Sequence, residues 1–463
     1  MIPNFWCKIS PFIRSKNFLL FLSALAFNLA FIYPHTAPWF VFFFLIPLFY
    51  LAFKERLSFG QGFTWGILFN FIHLYPYFVF FHQETNGTFR ILVPLFLVLY
   101  FSCYSGLWFW LAKNISKIVK TNTWKVTFWV LVTYFYFTWM NHGCLFITGK
   151  CMGDPFGNPL LPLAVNHWYL YFLPFFGPSL LLLFLIIFAV VIVLFFTTEK
   201  KQFLVLAILA LTPFWLGVLL TGGSDKSNRK ANYVKNFIYI PPPKKKFANH
   251  PLDSAQEIYY KMVAKKFRPQ TKCIVMPESS YRFCLNKMPD ILEMWNTNGL
   301  NDSICFIIGA HRKEGDDVFN SVYFIKNGKI ETWYDKTELM PFAEFVPNVW
   351  KKIPHLKNLF LDDDNHFCPG VKKDSLLYLD ESITLDPCIC AELFLRKNQN
   401  IPYRKDVIML LIVNDALFSC EYMRNLMFLL AKFRSIQLSR KILYVGHFFA
   451  RLIDKDGTVA KIG

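Results

Sequence analysis

The pattern of apolar and polar positions divides the chain in two. Up to about residue 221, long apolar runs follow one another with only short polar breaks. From 222 to 463, short apolar runs alternate with charged stretches, as in a globular region with its own core. A bilayer core takes about 20 apolar residues of helix. The first region offers seven such runs, near 17–33, 38–53, 62–81, 91–112, 126–147, 172–196 and 203–221. Ser23-Ala24-Leu25-Ala26 lies inside the first run and further runs follow at once, so that run does not read as a cleaved leader. The stretch Gly149 to Pro178, broken by Gly153, Pro155, Gly157, Pro159 and Pro162, reads as a loop between the fifth and sixth spans.

In the second region, Val234–Ile240, Cys273–Met276, Ile304–Ile308, Ser321–Ile325, Ile383–Cys388 and Val407–Val413 read as strands. Asp253–Phe267 and Glu421–Lys432 read as helices, and Asp454-Lys455-Asp456-Gly457 as a hairpin turn. The alternation predicts a layered α/β sandwich. The domain plan is then an apolar helical region at 1–221, a basic linker and first strand at 222–251, and a folded α/β region at 252–463.

Composition sharpens this. Hydrophobic residues make up 54% of the chain, with 54 phenylalanines, and the formal net charge is +18. The basic residues gather at the ends of apolar runs, and no nucleic-acid motif accompanies them, so the charge points to a membrane rather than to nucleic acid. Of the loop lysines and arginines, eleven (Lys8, Arg14, Lys16, Lys54, Arg56, Lys113, Lys117, Lys120, Lys125, Lys200, Lys201) fall on one side and two (Arg90, Lys150) on the other. Positive loops stay in the cytoplasm, so seven spans would place the second region outside it. The eleven cysteines show no zinc-site spacing, and neither a metal nor a cofactor is expected.

Three apolar runs end in reactive groups: Val275-Met276-Pro277-Glu278, the segment Tyr334-Asp335-Lys336 continuing to Pro347, and Asp386-Pro387-Cys388-Ile389-Cys390-Ala391-Glu392. A thiol attacks as thiolate and needs a nearby base or cation. Glu278 would serve as base, and Lys336 with the backbone N–H after Cys390 would meet the developing oxyanion. Cys388 is the alternative nucleophile, read as lying on the same strand face but deeper. Glu344 reads either as a second active-site carboxylate or as a structural ion pair, and Glu392 as orienting the loop under the nucleophile.

These residues resemble the Glu-Lys-Cys triad of the nitrilase superfamily, and within it apolipoprotein N-acyltransferase. The resemblance rests on Pro277-Glu278, on Lys336 followed by Leu339-x-Pro341-Phe342-x-Glu344-x-Val346-Pro347, on Cys390-x-Glu392, and on Asn414-Asp415-Ala416-x-Phe418. It implies a polytopic helical membrane domain followed by a nitrilase-like αββα sandwich. Glu278, Lys336 and Cys390 would be catalytic, with Glu344, Ala391, Glu392, Asn414 and Asp415 in support. The implied reaction moves a fatty acyl chain from a phospholipid, through a cysteine thioester, to the N-terminal amine of a diacylglyceryl-cysteine apolipoprotein. The implied setting is a bacterial inner membrane, with a monomeric chain whose catalytic domain faces the periplasm. Ala391 and Leu417 stand where that family has aromatic residues, and Gly446-His447-Phe448 where it has an asparagine-rich turn. The family also continues beyond the point reached at Gly463, so a divergent or C-terminally truncated member is expected. A membrane-tethered amidohydrolase with the same three residues, or an inactive lipid- or lipoprotein-binding relic, are the alternatives.

Overall fold

The computed structural model describes residues 15–54, 57–84, 89–119, 121–142, 154–221, 232–242, 261–263, 265–294, 304–340, 344–345, 367–371, 376–380, 383–395, 407–417 and 420–462. They form two compact units. The first holds the apolar helices and also residues 420–433, which the sequence assigned to the second region; the second holds residues 232–417 and 434–462.

The first unit contains α1 (Lys16–Ile32), α2 (Leu45–Phe53), α3 (Phe59–His73), α4 (Tyr75–Glu84), α5 (Phe89–Ile118), α6 (Asn122–His142), α7 (Leu173–Thr198) and α8 (Lys201–Thr221). Ser15 caps α1 by accepting from the Phe18 N–H at 3.3 Å. Its interior is aromatic: Phe27 stacks on Phe44 at 4.0 Å and on Phe69 at 4.5 Å between ring centroids. Some interior polar side chains tie helices together, as where Ser23 donates to the Phe44 carbonyl at 2.6 Å and accepts from the Trp65 indole at 3.0 Å. Small residues let α3 and α5 meet closely, for a Cβ at Gly66 would lie 2.7 Å from the Ser102 Cα.

Among the described residues, three helical stretches are long and apolar enough to cross a bilayer: Ile91–Ile118 within α5, α7 and α8. The outer face of α8, with Val205, Ile208, Leu209 and Leu219 each more than half exposed, is surface that water solvates poorly. These are the features of a membrane protein. The expected count of seven spans is not established. The 38–53 run divides into a 3₁₀ turn at Pro38–Phe42 and α2, and the 62–81 run breaks at Leu74 into α3 and α4. The end expected for the fifth span, near 147, lies outside the described residues.

The second unit is built on two sheets. In the first, β1 (Phe237–Tyr239), β2 (Cys273–Val275) and β4 (Cys305–Glu314) run parallel, followed by antiparallel β5 (Asp317–Lys326) and β6 (Lys329–Asp335); β3 (Tyr281–Cys284) pairs with β4. In the second, the order is β12-β11-β10-β9-β8-β7, where β8 (Ile383–Ile389), β9 (Val407–Ile412) and β10 (Ile442–Val445) are parallel. The flanking strands β7 (Leu377–Asp380), β11 (Ala450–Ile453) and β12 (Val459–Lys461) are antiparallel. Val275, Ile307 and Phe324 of one sheet share a core with Ile389, Leu410 and Leu443 of the other. A second apolar layer, including Ile274, Ile308, Val263 and Ile291, covers the outer face of the first sheet. This is the expected sandwich.

The predicted strands are present with shifted ends. Residues 232–236 form a 3₁₀ turn, leaving β1 three residues, whereas β4 and β5 extend to ten each and close a hairpin over Gly315 (φ +60°). Of the predicted helix Asp253–Phe267, residues 253–260 and 264 lie outside the described residues, and 261–263 and 265–266 are helical. The helix beginning at Glu421 runs to Leu438, six residues beyond its predicted end.

Candidate active site

Five chain segments converge because each follows the C-terminal end of a strand. Ligand sites in α/β sheets form where parallel strands end. Glu278 follows β2, Lys336 follows β6, Cys390 follows β8, Asn414-Asp415 follow β9, and Gly446-His447 follow β10.

Glu278 is 4% exposed. Its Oε1 accepts from Asn320 Nδ2 at 2.8 Å and from Lys336 Nζ at 3.4 Å, and its Oε2 accepts from the Asn414 N–H at 2.6 Å. Its backbone is pressed by Gly309 of β4, where a Cβ would lie 2.7 Å from the Glu278 Cα. The chain then turns through Ser279, which has φ +52°.

Lys336 is 2% exposed. Its ammonium donates to Glu344 Oε1 at 2.9 Å as well as to Glu278. Burial alone would lower its pKa, but Glu344 and Glu278 outweigh burial and hold it charged well above the ordinary lysine range. Asn320 Nδ2 also donates to Glu344 Oε1 at 2.8 Å, so one amide and one ammonium bridge the same two carboxylates. Glu344 is fixed further by the Met340 N–H at 2.7 Å.

Cys390 sits at a sharp strand-to-helix turn. Its φ is +48°, its N–H donates to the Ile412 carbonyl at 2.8 Å, and its carbonyl accepts from the Leu393 N–H as the short helix Glu392–Leu395 begins. A non-glycine residue in this backbone region is strained, and such strain gathers at functional turns. Burial, with Glu278 next in effect, raises the thiol pKa well above the ordinary range, while Lys336 pulls it down. Burial and the neighbouring Glu278 charge therefore favour the protonated thiol at rest.

Glu392 is completely buried and serves as a clamp. Its Oε1 accepts from the Tyr334 hydroxyl at 2.8 Å, the Thr337 hydroxyl at 2.8 Å and the Thr337 N–H at 2.7 Å, and its Oε2 accepts from the Ile389 N–H at 2.8 Å. It thus joins the chain after Lys336 to the end of β8. Ala391 is buried beside it at 1% exposure. Asp415 accepts from the His447 N–H at 2.6 Å.

The structure thus brings together Glu278, Lys336, Glu344 and Cys390, with Asn414 and Glu392 holding them. Cys388 is fully buried but lies outside the inter-sheet core that contains its neighbours Ile389 and Cys390. It points away from the site rather than sharing a face with Cys390. Two residues were not singled out from sequence as site groups. Asn320 stands as a polar residue within the apolar run 319–325, a signal that a buried partner is needed. His447 had no signal beyond its departure from the family pattern.

No family model matches the chain. Among curated proteins it is 25% identical over 250 residues to the apolipoprotein N-acyltransferase of Helicobacter pylori, covering 54% of this chain and 56% of that one. It is 31% identical over 134 residues to that of Allorhizobium ampelinum (27% and 25% covered) and 32% over 173 residues to that of Rhizobium rhizogenes (35% and 32% covered). The chain therefore spans from a quarter to just over half of the length of these relatives. Among solved structures it aligns with a glutamine-dependent NAD+ synthetase from Acinetobacter baumannii (15% identity, TM-score 0.32, 45% of this chain and 39% of that one). It also aligns with XC1258 of Xanthomonas campestris, a CN-hydrolase superfamily protein (15%, TM-score 0.29, 44% and 78%). In sequence, the chain resembles apolipoprotein N-acyltransferases.

Proposed function

We propose that this chain is an N-acyltransferase that takes a fatty acyl chain from a membrane phospholipid onto Cys390 and delivers it to the N-terminal amine of a diacylated apolipoprotein. The observation that carries this reading is the buried group in which Glu278 meets the Lys336 ammonium at 3.4 Å while the charges of both act on the Cys390 thiol. The named relatives support the choice of acceptor.

In this reading Glu278 takes the thiol proton, and the sulfur attacks the ester carbonyl of the phospholipid. Negative charge develops on the carbonyl oxygen, opposite the Lys336 ammonium. The C–O bond of the ester breaks, and the departing lysophospholipid alkoxide takes the proton from Glu278. An incoming amine then gives a proton to Glu278 and attacks the thioester; the amide forms, the C–S bond breaks, and the thiol recovers its proton. Glu344 shares the ammonium and keeps Lys336 aimed between the two carboxylates. The reaction would take place at the periplasmic face of a bacterial inner membrane, on a monomeric chain.

The test is incubation of purified full-length chain with acyl-labelled phospholipid, followed by a diacylated lipopeptide. A label on Cys390, lost in Cys390→Ala and in Glu278→Gln and passed to the lipopeptide amine, is the expected result. Release as free fatty acid would replace this reading with a hydrolase. Absence of any adduct would leave a lipid-binding protein.

A further inference from the structure

Glu278 is held at two places by one short segment. The Asn414 N–H donates to its carboxylate at 2.6 Å. The next residue, Asp415, accepts from the His447 N–H at 2.6 Å, and the His447 ring reaches back to the Glu278 main-chain carbonyl, with Nε2 at 2.7 Å from the oxygen. The loop closes through four residues, so the carboxylate and the backbone of Glu278 are referred to the same support.

The turn that carries His447 is itself fixed. Tyr239 donates its hydroxyl proton to the Gly446 carbonyl at 2.8 Å, and the Gly446 N–H donates to the Phe449 carbonyl at 3.0 Å. Gly446 packs directly against the Asp415 carboxylate, where a Cβ would lie 2.9 Å from Asp415 Cγ. A carbonyl oxygen only accepts, so Nε2 carries the hydrogen and the tautomer of the ring is set.

We infer that His447 is a positioning residue for the thiol-activating step, holding the main chain of Glu278 so that its carboxylate meets the Cys390 sulfur. Burial keeps the imidazole below the ordinary histidine range, against the backbone bond and charge of Glu278 that pull it up, so at neutral pH the ring donates without adding a cation beside the base. The titratable groups facing it are Glu278, Asp415 and, on β3, Arg282. This inference rests on reading Glu278 as the base.

The test is the rate of Cys390 alkylation by iodoacetamide, read by mass spectrometry on its own peptide against Cys284 as internal reference. It needs no lipid. Glu278→Gln sets the rate without a base. His447→Phe, which keeps a ring but has no donor, and His447→Asn, whose amide is too short to reach, are expected to slow alkylation about tenfold or more, a loss of about 1.4 kcal/mol or more at the barrier. His447→Gln, whose Nε2 reaches about as far as the imidazole nitrogen, is expected to recover to within about threefold, at a melting temperature matching His447→Asn. Wild-type rates in the Phe and Asn variants, or equal slowing in Asn and Gln, would overturn the inference. If wild-type Cys390 is alkylated in a Glu278-dependent way yet never acylated by phospholipid, the proposed function fails alone. If acylation proceeds and is indifferent to His447, this inference fails alone.

Discussion

Each of the two units buries a small polar cluster, and the clusters are built on opposite plans. In the helical unit, His73 lies 3.1 Å from the Tyr422 hydroxyl through Nδ1 and 3.4 Å from Asp154 Oδ2 through Nε2, with Phe31 and Phe69 against its ring. Asp154 also accepts from the Phe156 N–H at 3.1 Å. One carboxylate, one imidazole and one hydroxyl tie three segments of chain together. In the sandwich, two carboxylates share one ammonium and one amide beside a thiol that still holds its proton. Acceptors exceed cations there. The first plan suits holding elements in place; the second sets paired carboxylates and a cation beside a thiol.

The largest effect expected is at the shared cation. Lys336→Met leaves Glu278 and Glu344 buried without an ammonium, and removing one partner of a buried pair costs about 3–5 kcal/mol. Thermal unfolding in detergent should show that loss, and adding Glu344→Gln should recover part of it. A loss under 1 kcal/mol would mean that the cluster is as loosely coupled as a surface pair. Next comes Gly309→Ala, which drives a methyl into Pro277 and Glu278 and should cost about 1–3 kcal/mol together with slower Cys390 alkylation.

The alkaline limb separates the thiol from its neighbours. Because the folded-state pKa of Cys390 lies above the unfolded thiol value of about 8.5, its contribution is fully present below that pH and is lost as pH rises. Wild type should therefore lose stability relative to Cys390→Ala above about pH 8.5, with a limiting slope of about 1.4 kcal/mol per pH unit. Lys336 is present in both chains and does not create the difference. Parallel stability curves would contradict a buried, protonated thiol. The smallest effect is expected in the helical unit, where Tyr422→Phe removes one hydrogen bond for about 1 kcal/mol and should leave Cys390 alkylation unchanged. If alkylation changed, the contrast between the two clusters would fail.

Much of the sandwich was legible because its parallel strands are short apolar runs ending in polar groups. That pattern placed Glu278 after β2 and Cys390 after β8 without any contact information. Strand β6 was missed because its burial is confined to one end: Glu331, Thr332 and Trp333 are exposed, so the apolar alternation never appears. The extra length of β4 and β5 was hidden in the charged stretch from Arg312 to Asp317, where ladder hydrogen bonds rather than side-chain burial define the strands. In the helical unit, apolar character alone does not reveal where a helix breaks at Leu74 or tightens at Pro38. Asn320 and His447 were the hardest to see. Their roles come from reaching partners 42 and 169 residues away in sequence, which no local pattern encodes.

The left-handed backbone at residue 390 carries an evolutionary consequence. That conformation disfavours most side chains with a Cβ, by roughly 1–2 kcal/mol, and glycine would relieve it. A lineage with no use for sulfur at this turn would thus gain fitness in folding by discarding it, at a single codon. Residue 390 is in this sense a gauge: among descendants of this gene, the appearance of glycine there would mark a branch on which the thiol was no longer selected.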